Sequence, residues 1–453
     1  MNGFVAMLMT SCLGGSEEAD LTLYKDAQIA TFVLSHDSAA YLKNVSFTID
    51  QINGTIFNYD SLPYGTKVEK VICSMTYRGG YTAGVKVLQE AVGDSAVAWN
   101  GTDSLNFSKP VQFTVYAYDG FNKKVYKAYI NIHQVQPDSL AWTRLVSPVT
   151  GIAAVDEKVV EFNGEWLMFQ KTNNAVRLFT SVNINEWAEV TVNGLPLQAN
   201  LAQISSFGGC LYAAVTDGLQ ISASGNVAQG QLYSSSDGKN WKLVENTPKI
   251  VTLLGALKAD RNKSAVLAAI IEADAGLSFA GMTEDGQWTK GEAVPDGFPR
   301  RAFGSVAYER LGFEYLMIAT GLDKNNKPTN TVWATSDALQ WALLSRSGRA
   351  DFSEREGAAL TVYDGKFFLL GGLDKNGAGL KDIYFSKDNG ITWAANDSLI
   401  LFPGDYAGRG YSSIATDSYN YIYMFGGKTL KDVSHTDEIW RGRIFRLGFD
   451  KEK

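Results

Sequence analysis

Apolar residues in this chain recur mostly with a period of two, in short runs, and no segment of useful length follows a helical repeat. The clearest case is FTVYAY (113–118), then Asp119-Gly120-Phe121-Asn122, then KKVYKAYINI (123–132). Alternation buries one face of each run, and Asp-Gly suits the tight link between paired strands, so these residues predict a hairpin. Upstream, FTIDQINGTIFNYDSLPYGT (47–66) is cut into strand-length pieces by Asn53-Gly54 and by Pro63-Tyr64-Gly65. The pattern predicts an all-β chain that begins with a β-sandwich over 20–136.

Beyond residue 137 the pattern becomes periodic. Tryptophan recurs at Trp142, Trp187, Trp241, Trp288, Trp341 and Trp393, at intervals of 45 to 54 residues. A hydroxyl-and-acid turn precedes most of them: Ser235 to Gly238, Thr283 to Gly286, Thr335 to Asp337, and Ser386 to Gly390. Asn183 replaces the acid before Trp187, and Asp138 stands four residues before Trp142. Apolar runs such as GAALTVY, KFFLLGG and KDIYFSK fill each period, giving four short strands per repeat, which is one blade of a β-propeller. The last period (YSSIATD, YIYMFGG, DEIWRGRI) has three strands and no closing tryptophan, whereas LAWTRLV (140–146) has none ahead of it. Setting 139–146 beside those three strands completes a sixth blade and removes two exposed edges. The expectation is therefore a six-bladed propeller over 137–453, with seven blades as the alternative count.

Composition narrows the function. Apolar residues make up 45% and charged residues 20% of 453, a globular balance. A net charge of -7 without a basic stripe argues against a nucleic-acid partner. Three His and three Cys leave little for metal or acid–base chemistry, so no metal, cofactor or catalytic residue is assigned. Cys73, inside VICSMTY, reads as a buried thiol. No apolar run is long enough to span a membrane as a helix. A monomer is expected.

Two sets of residues invite a chemical reading. In the repeated turns, Asp237, Asp285, Asp337 and Asp388 can accept N–H groups of their own turn, and Trp241, Trp288, Trp341 and Trp393 supply a large apolar face. A motif repeated around a ring cannot be one active site each time, so these residues are assigned to structure. Arg301, Arg355 and Arg409 open the last three blades, on loops expected to line the funnel face, with Phe298, Arg300, Glu354, Asp405 and Tyr406 beside them. Convergent arginines could grip a carboxylate. Their recurrence at one repeat position favours the other reading, a contact between blades.

Resemblances add to this. The S/T-x-D-(x)-G-x-x-W turns resemble the Asp-box of sialidases and related propellers. REGAALTVYDGKFFLLGG (355–372), and more loosely the stretches from Arg301 and Arg409, resemble kelch repeats. The hairpin pattern Y-x-A-x-D-G-x-x-K-x-Y resembles bacterial immunoglobulin-like sandwiches. Phe4 to Met9 followed by Thr10-Ser11-Cys12 resembles a lipobox, although no Lys or Arg precedes it, and GGSEEAD (14–20) resembles the acidic export tether of Bacteroidetes surface lipoproteins. The whole chain resembles Bacteroides-type surface lipoproteins of unknown function. That resemblance implies a tether over 1–19 lipidated at Cys12, an outer-membrane address in the cell envelope with surface exposure, and membrane contact only through the lipid. A sialidase would need an arginine that IAAVDEKVVEFNGEW, the first blade, lacks, and no His lies between His133 and His435 for galactose-oxidase-like copper chemistry. The expected function is non-catalytic binding of a glycan or envelope protein. The alternative is a diverged propeller glycoside hydrolase or lyase with a carboxylate site in the funnel.

Overall fold

The computed structural model describes residues 25–216, 230–274, 276–344, 351–395, 398–432 and 434–445. Cys12 and the expected tether lie outside these residues. Secondary structure is almost wholly strand, and the chain divides into two compact units at Gln136/Pro137.

In the first unit, Ile29–Ser35 pairs with Ile72–Tyr77, facing a six-stranded sheet. That sheet runs in the order Phe47–Asp50, Thr55–Asn58, Lys123–Tyr129, Val111–Tyr116, Gly84–Gln89, Val97–Trp99. Alternate residues of both sheets, among them Phe32, Leu34, Cys73, Val87, Phe113 and Tyr126, fill one core. Cys73 is a free, buried thiol, and burial pushes its ionisation upward. The predicted hairpin turn is held by Asp119, whose Oδ1 accepts the N–H groups of Phe121 (2.9 Å) and Asn122 (3.0 Å).

The second unit is a propeller of six four-stranded antiparallel sheets. Blade one covers 156–190, blade two 205–243, blade three 250–293, blade four 304–343 and blade five 359–395. Blade six takes three strands from 413–444, and Leu140–Val146 pairs antiparallel with Ile439–Ile444 as its outer strand. Six apolar clusters fill the six junctions between neighbouring blades. Glu165–Lys171 shows how a single strand serves two of them. Leu167 and Phe169 face blade two, whereas Trp166 and Met168 face blade six. A strand buried on both faces reads as a continuous apolar run, which is why the second strands lack the alternation of the first unit.

Each recurrent tryptophan packs backward, onto the blade before its own. Trp241 meets Phe169 of blade one at 5.9 Å, and Trp187 of blade one meets Phe425 of blade six at 6.4 Å. The acid turns place these indoles. Asp237 Oδ1 accepts the N–H groups of Lys239 and Asn240, both at 2.8 Å, and Trp241 Nε1 donates to Gly238 O at 3.0 Å. The same frame surrounds Asp388 and Trp393. In blade four Ala338 takes the positive φ (66°) that glycine takes elsewhere, and Asp337 still accepts Leu339 and Gln340 at 2.9 Å. Blade three departs from the pattern. Trp288 stands only three residues after Asp285, is itself part of the outer strand Trp288–Ala293, and remains half-buried.

Candidate functional site

The loops that open blades four to six lie on one face, interleaved with the loops between second and third strands. Backbone pairs stitch them together across blades: Arg355 N donates to Thr329 O at 3.0 Å, and Gly372 N donates to Arg409 O at 2.9 Å. This leaves the arginine side chains to act within their own blades. Arg355 is wholly buried. It forms a fork on Asp382 (2.6 and 3.0 Å), donates to Gly371 O and Ser353, and lies over the rings of Phe352 and Tyr384. Arg409, also buried, pairs with Glu438 at 2.6 Å, donates to Thr436 Oγ1, and stacks over Tyr406 at 4.5 Å. Arg301 donates to Asn326 in the corresponding loop of blade four. The repeated arginine is thus a clasp between the entry of a blade and that blade's own outer loop, while the backbone beside it makes the contact between blades.

The other predicted face residues separate. Phe298 is fully enclosed among Phe279, Trp333 and Trp341. Tyr406 stacks on Phe402 at 4.0 Å, and burial, only partly offset by Arg409, pushes its phenol up to about 12. Arg300 is half-buried, and desolvation lowers its guanidinium against the pull of Asp296 and Asp323. Glu354 and Asp405 are exposed. The eight residues do not converge on one open site.

Besides a cavity of about 520 Å³ lined by Glu292, Arg310, Asp337 and Trp341 among others, open space lies at the axis. Two cavities of about 200 and 340 Å³ share Lys158, Gln203, Phe303 and Ser305 and are walled by the inner strands and the turn Leu201–Gln203. Lys158 belongs to Asp156–Phe162, the inner strand of blade one; its neighbours Glu157 and Val159 are buried in the opposite direction, at the seam with blade six. Tyr411 edges the first cavity, and its hydroxyl donates to Glu356 Oε2 at 2.7 Å. Burial first, then the charge and the hydrogen bond of Glu356, push that phenol far above its ordinary value. A tyrosine so placed is a proton donor and a poor nucleophile. Among the described residues no aspartate or glutamate lines either cavity. Among the described residues no group of three His, Cys, Asp or Glu side chains is placed to hold a metal.

The sequence offered no pointer to these groups. Lys158 sits in blade one and Gln203 in the turn ahead of blade two, far along the chain from the arginine-led loops, and neither falls in a repeated motif.

A model of the DUF6242 beta propeller domain matches residues 136–452, and one of the DUF6242 N-terminal domain, a domain of unknown function, matches 20–130. The chain belongs to the DUF6242 family. Among solved structures, this DUF6242 chain is similar to that of YjhT, at 13% identity and a TM-score of 0.46, over 65% of this chain and 96% of that one. No curated protein matches it.

Proposed function

We propose that this DUF6242 protein is a non-catalytic binding protein whose ligand enters the axial channel of the propeller. One observation carries the reading: among the described residues the only charged side chain common to both axial cavities is a lysine, and no carboxylate lines either of them. Glycoside hydrolysis by the usual route needs two carboxylates flanking the bond, and a nucleophilic tyrosine needs a lowered pKa rather than a raised one. Of the rim arginines, Arg355 and Arg409 are spent on the fold. In this reading Cys12 carries the lipid, the immunoglobulin-like unit is a spacer, and the propeller acts as a monomer at the cell surface. It presents its channel to a glycan, including one borne by an envelope protein.

The test is a glycan array probed with the chain lacking residues 1–19, alongside a panel of chromogenic glycosides. Binding on the array without turnover is expected. Turnover that Glu356→Gln abolishes would establish the hydrolase instead. Replacing Cys12 by Ala should release the full chain from membranes; retention there would remove the lipid anchor.

A further inference from the structure

The channel's chemistry narrows the ligand. Lys158 makes no hydrogen bond and no ion pair among the described residues, and it lines both cavities, half-buried. Desolvation lowers its pKa, and the more distant Asp156 only partly counters this. Gln203 lies beside the same space, itself buried. Its carbonyl oxygen accepts the Thr252 hydroxyl, so the side-chain amide is held in one orientation and its N–H donors have no partner among the described residues. Two donor groups, one cationic and the other held in place, therefore line cavities that no acid among the described residues lines. An under-solvated ammonium next to unspent N–H groups gains most from an anionic oxygen.

We propose that the axial channel binds a hydroxylated monocarboxylate of monosaccharide size, of the uronic acid type, with its carboxylate on Lys158 and Gln203. This rests on the reading of the channel as a binding site and adds the ligand's charge and class. The single interior ammonium matches one negative charge. Lys258 is exposed and, of the two axial cavities, lines only the larger, so a phosphate ester near two negative charges would be left half-neutralised. The volumes suit one sugar ring, and hydroxyl-bearing walls at Ser206, Thr361 and Ser412 suit its hydroxyl groups.

The experiment is calorimetric titration of the chain lacking residues 1–19 with D-glucuronate, D-glucose and inorganic phosphate. It is repeated for Lys158→Met, Lys158→Arg and Gln203→Glu, with circular dichroism to confirm folding. Glucuronate should bind at least ten-fold more tightly than glucose or phosphate. Lys158→Met and Gln203→Glu should each weaken it ten-fold or more, and Lys158→Arg should restore most of the affinity. Equal affinity for glucose, tighter binding of phosphate, or glucuronate binding undiminished in Lys158→Met would overturn the proposal. So would no glucuronate binding by a chain that scores on the glycan array, an outcome that leaves the broader binding reading standing; silence in both assays removes both. Should Lys158→Met fail to fold, the ligand comparison on the parent chain and Gln203→Glu decide.

Discussion

Where blade six meets blade one, Glu157 and His435 are buried around Gly426 and titrate in opposite senses. A Cβ on that glycine would stand 2.2 Å from Glu157 Oε1 and 3.2 Å from His435 Nδ1, so nothing larger fits between them. Burial, opposed by the hydrogen bond from Gln170 (2.8 Å), pushes Glu157 up to about 7. Burial, with Lys428 nearby, pushes His435 down to about 3. Folded Glu157 keeps a proton that the unfolded chain loses near pH 4.5, so its contribution is full below that pH and is lost as the pH rises through 7. Folded His435 rejects a proton that the unfolded chain accepts near pH 6.5, so its contribution is full above that pH and is lost as the pH falls toward 3. Between pH 4.5 and 6.5 the two slopes cancel. Glu157→Gln should therefore make stability rise with pH across that window, by up to about 1.4 kcal/mol per pH unit, and His435→Gln should make it fall. Urea midpoints from pH 4.5 to 7.5 test this, and parallel profiles for all three proteins would refute it. Neither shift was legible in the sequence, because burial is the main cause of each, and it arises at a seam where Glu157 meets Gly426, more than 250 residues further along the chain.

At the scale of the repeated turn, the carboxylate and the indole do different work. Asp237 is largely exposed, and the N–H groups of Asn240 and Lys239 outweigh what desolvation it suffers, holding it below the usual carboxylate range. An amide can fill the same role: Asn183 Oδ1 accepts Asn185 and Glu186 at 3.0 and 3.1 Å in blade one. Asp237→Asn should accordingly cost about 1 kcal/mol or less. Trp241 is buried between two blades, and Trp241→Ala should cost about 3–5 kcal/mol. Equal costs in chemical denaturation would contradict this division. Turns of this kind are readable because their chemistry is local: hydroxyl, acid and glycine act on their own backbone within a few residues. The arginines show the limit of such reading. Their recurrence signalled a structural role, but Asp382 and Glu438 are 27 and 29 residues further on, outside any repeated motif. Only the folded loops brought them to Arg355 and Arg409.

For the whole ring, closure depends on a seven-residue strand, Leu140–Val146, meeting Ile439–Ile444 from the far end of the chain. Gly442 sits opposite Trp142 and leaves room for it: a Cβ there would lie 2.8 Å from the indole and 2.9 Å from Ile422. Gly442→Val should expel Trp142 from its stack on Phe402 and loosen the closing strand. Hydrogen exchange should then quicken in 140–146 and 439–444 while blades two to four keep their protection. Uniform loss of protection around the ring would show that closure is not a separable element. The closing strand itself was legible, since three final strands without a fourth, and one early strand without companions, have a single economical pairing.

The sequence alone determined the all-β class, the blade repeat, the turn chemistry and the strand that closes the ring. Each of these follows from periodicity or from contacts a few residues apart. The tertiary structure decided which polar groups are spent and which remain available. The partners of Arg355 and Arg409 are distant in sequence, and folding consumed both arginines. Lys158 and Gln203 looked ordinary because nothing near them in sequence marks them, and folding left them lining a channel where no described residue supplies an acid. Whether a polar group can bind a ligand depends on what satisfies it, and in a ring of radial sheets that partner usually comes from another strand or another blade.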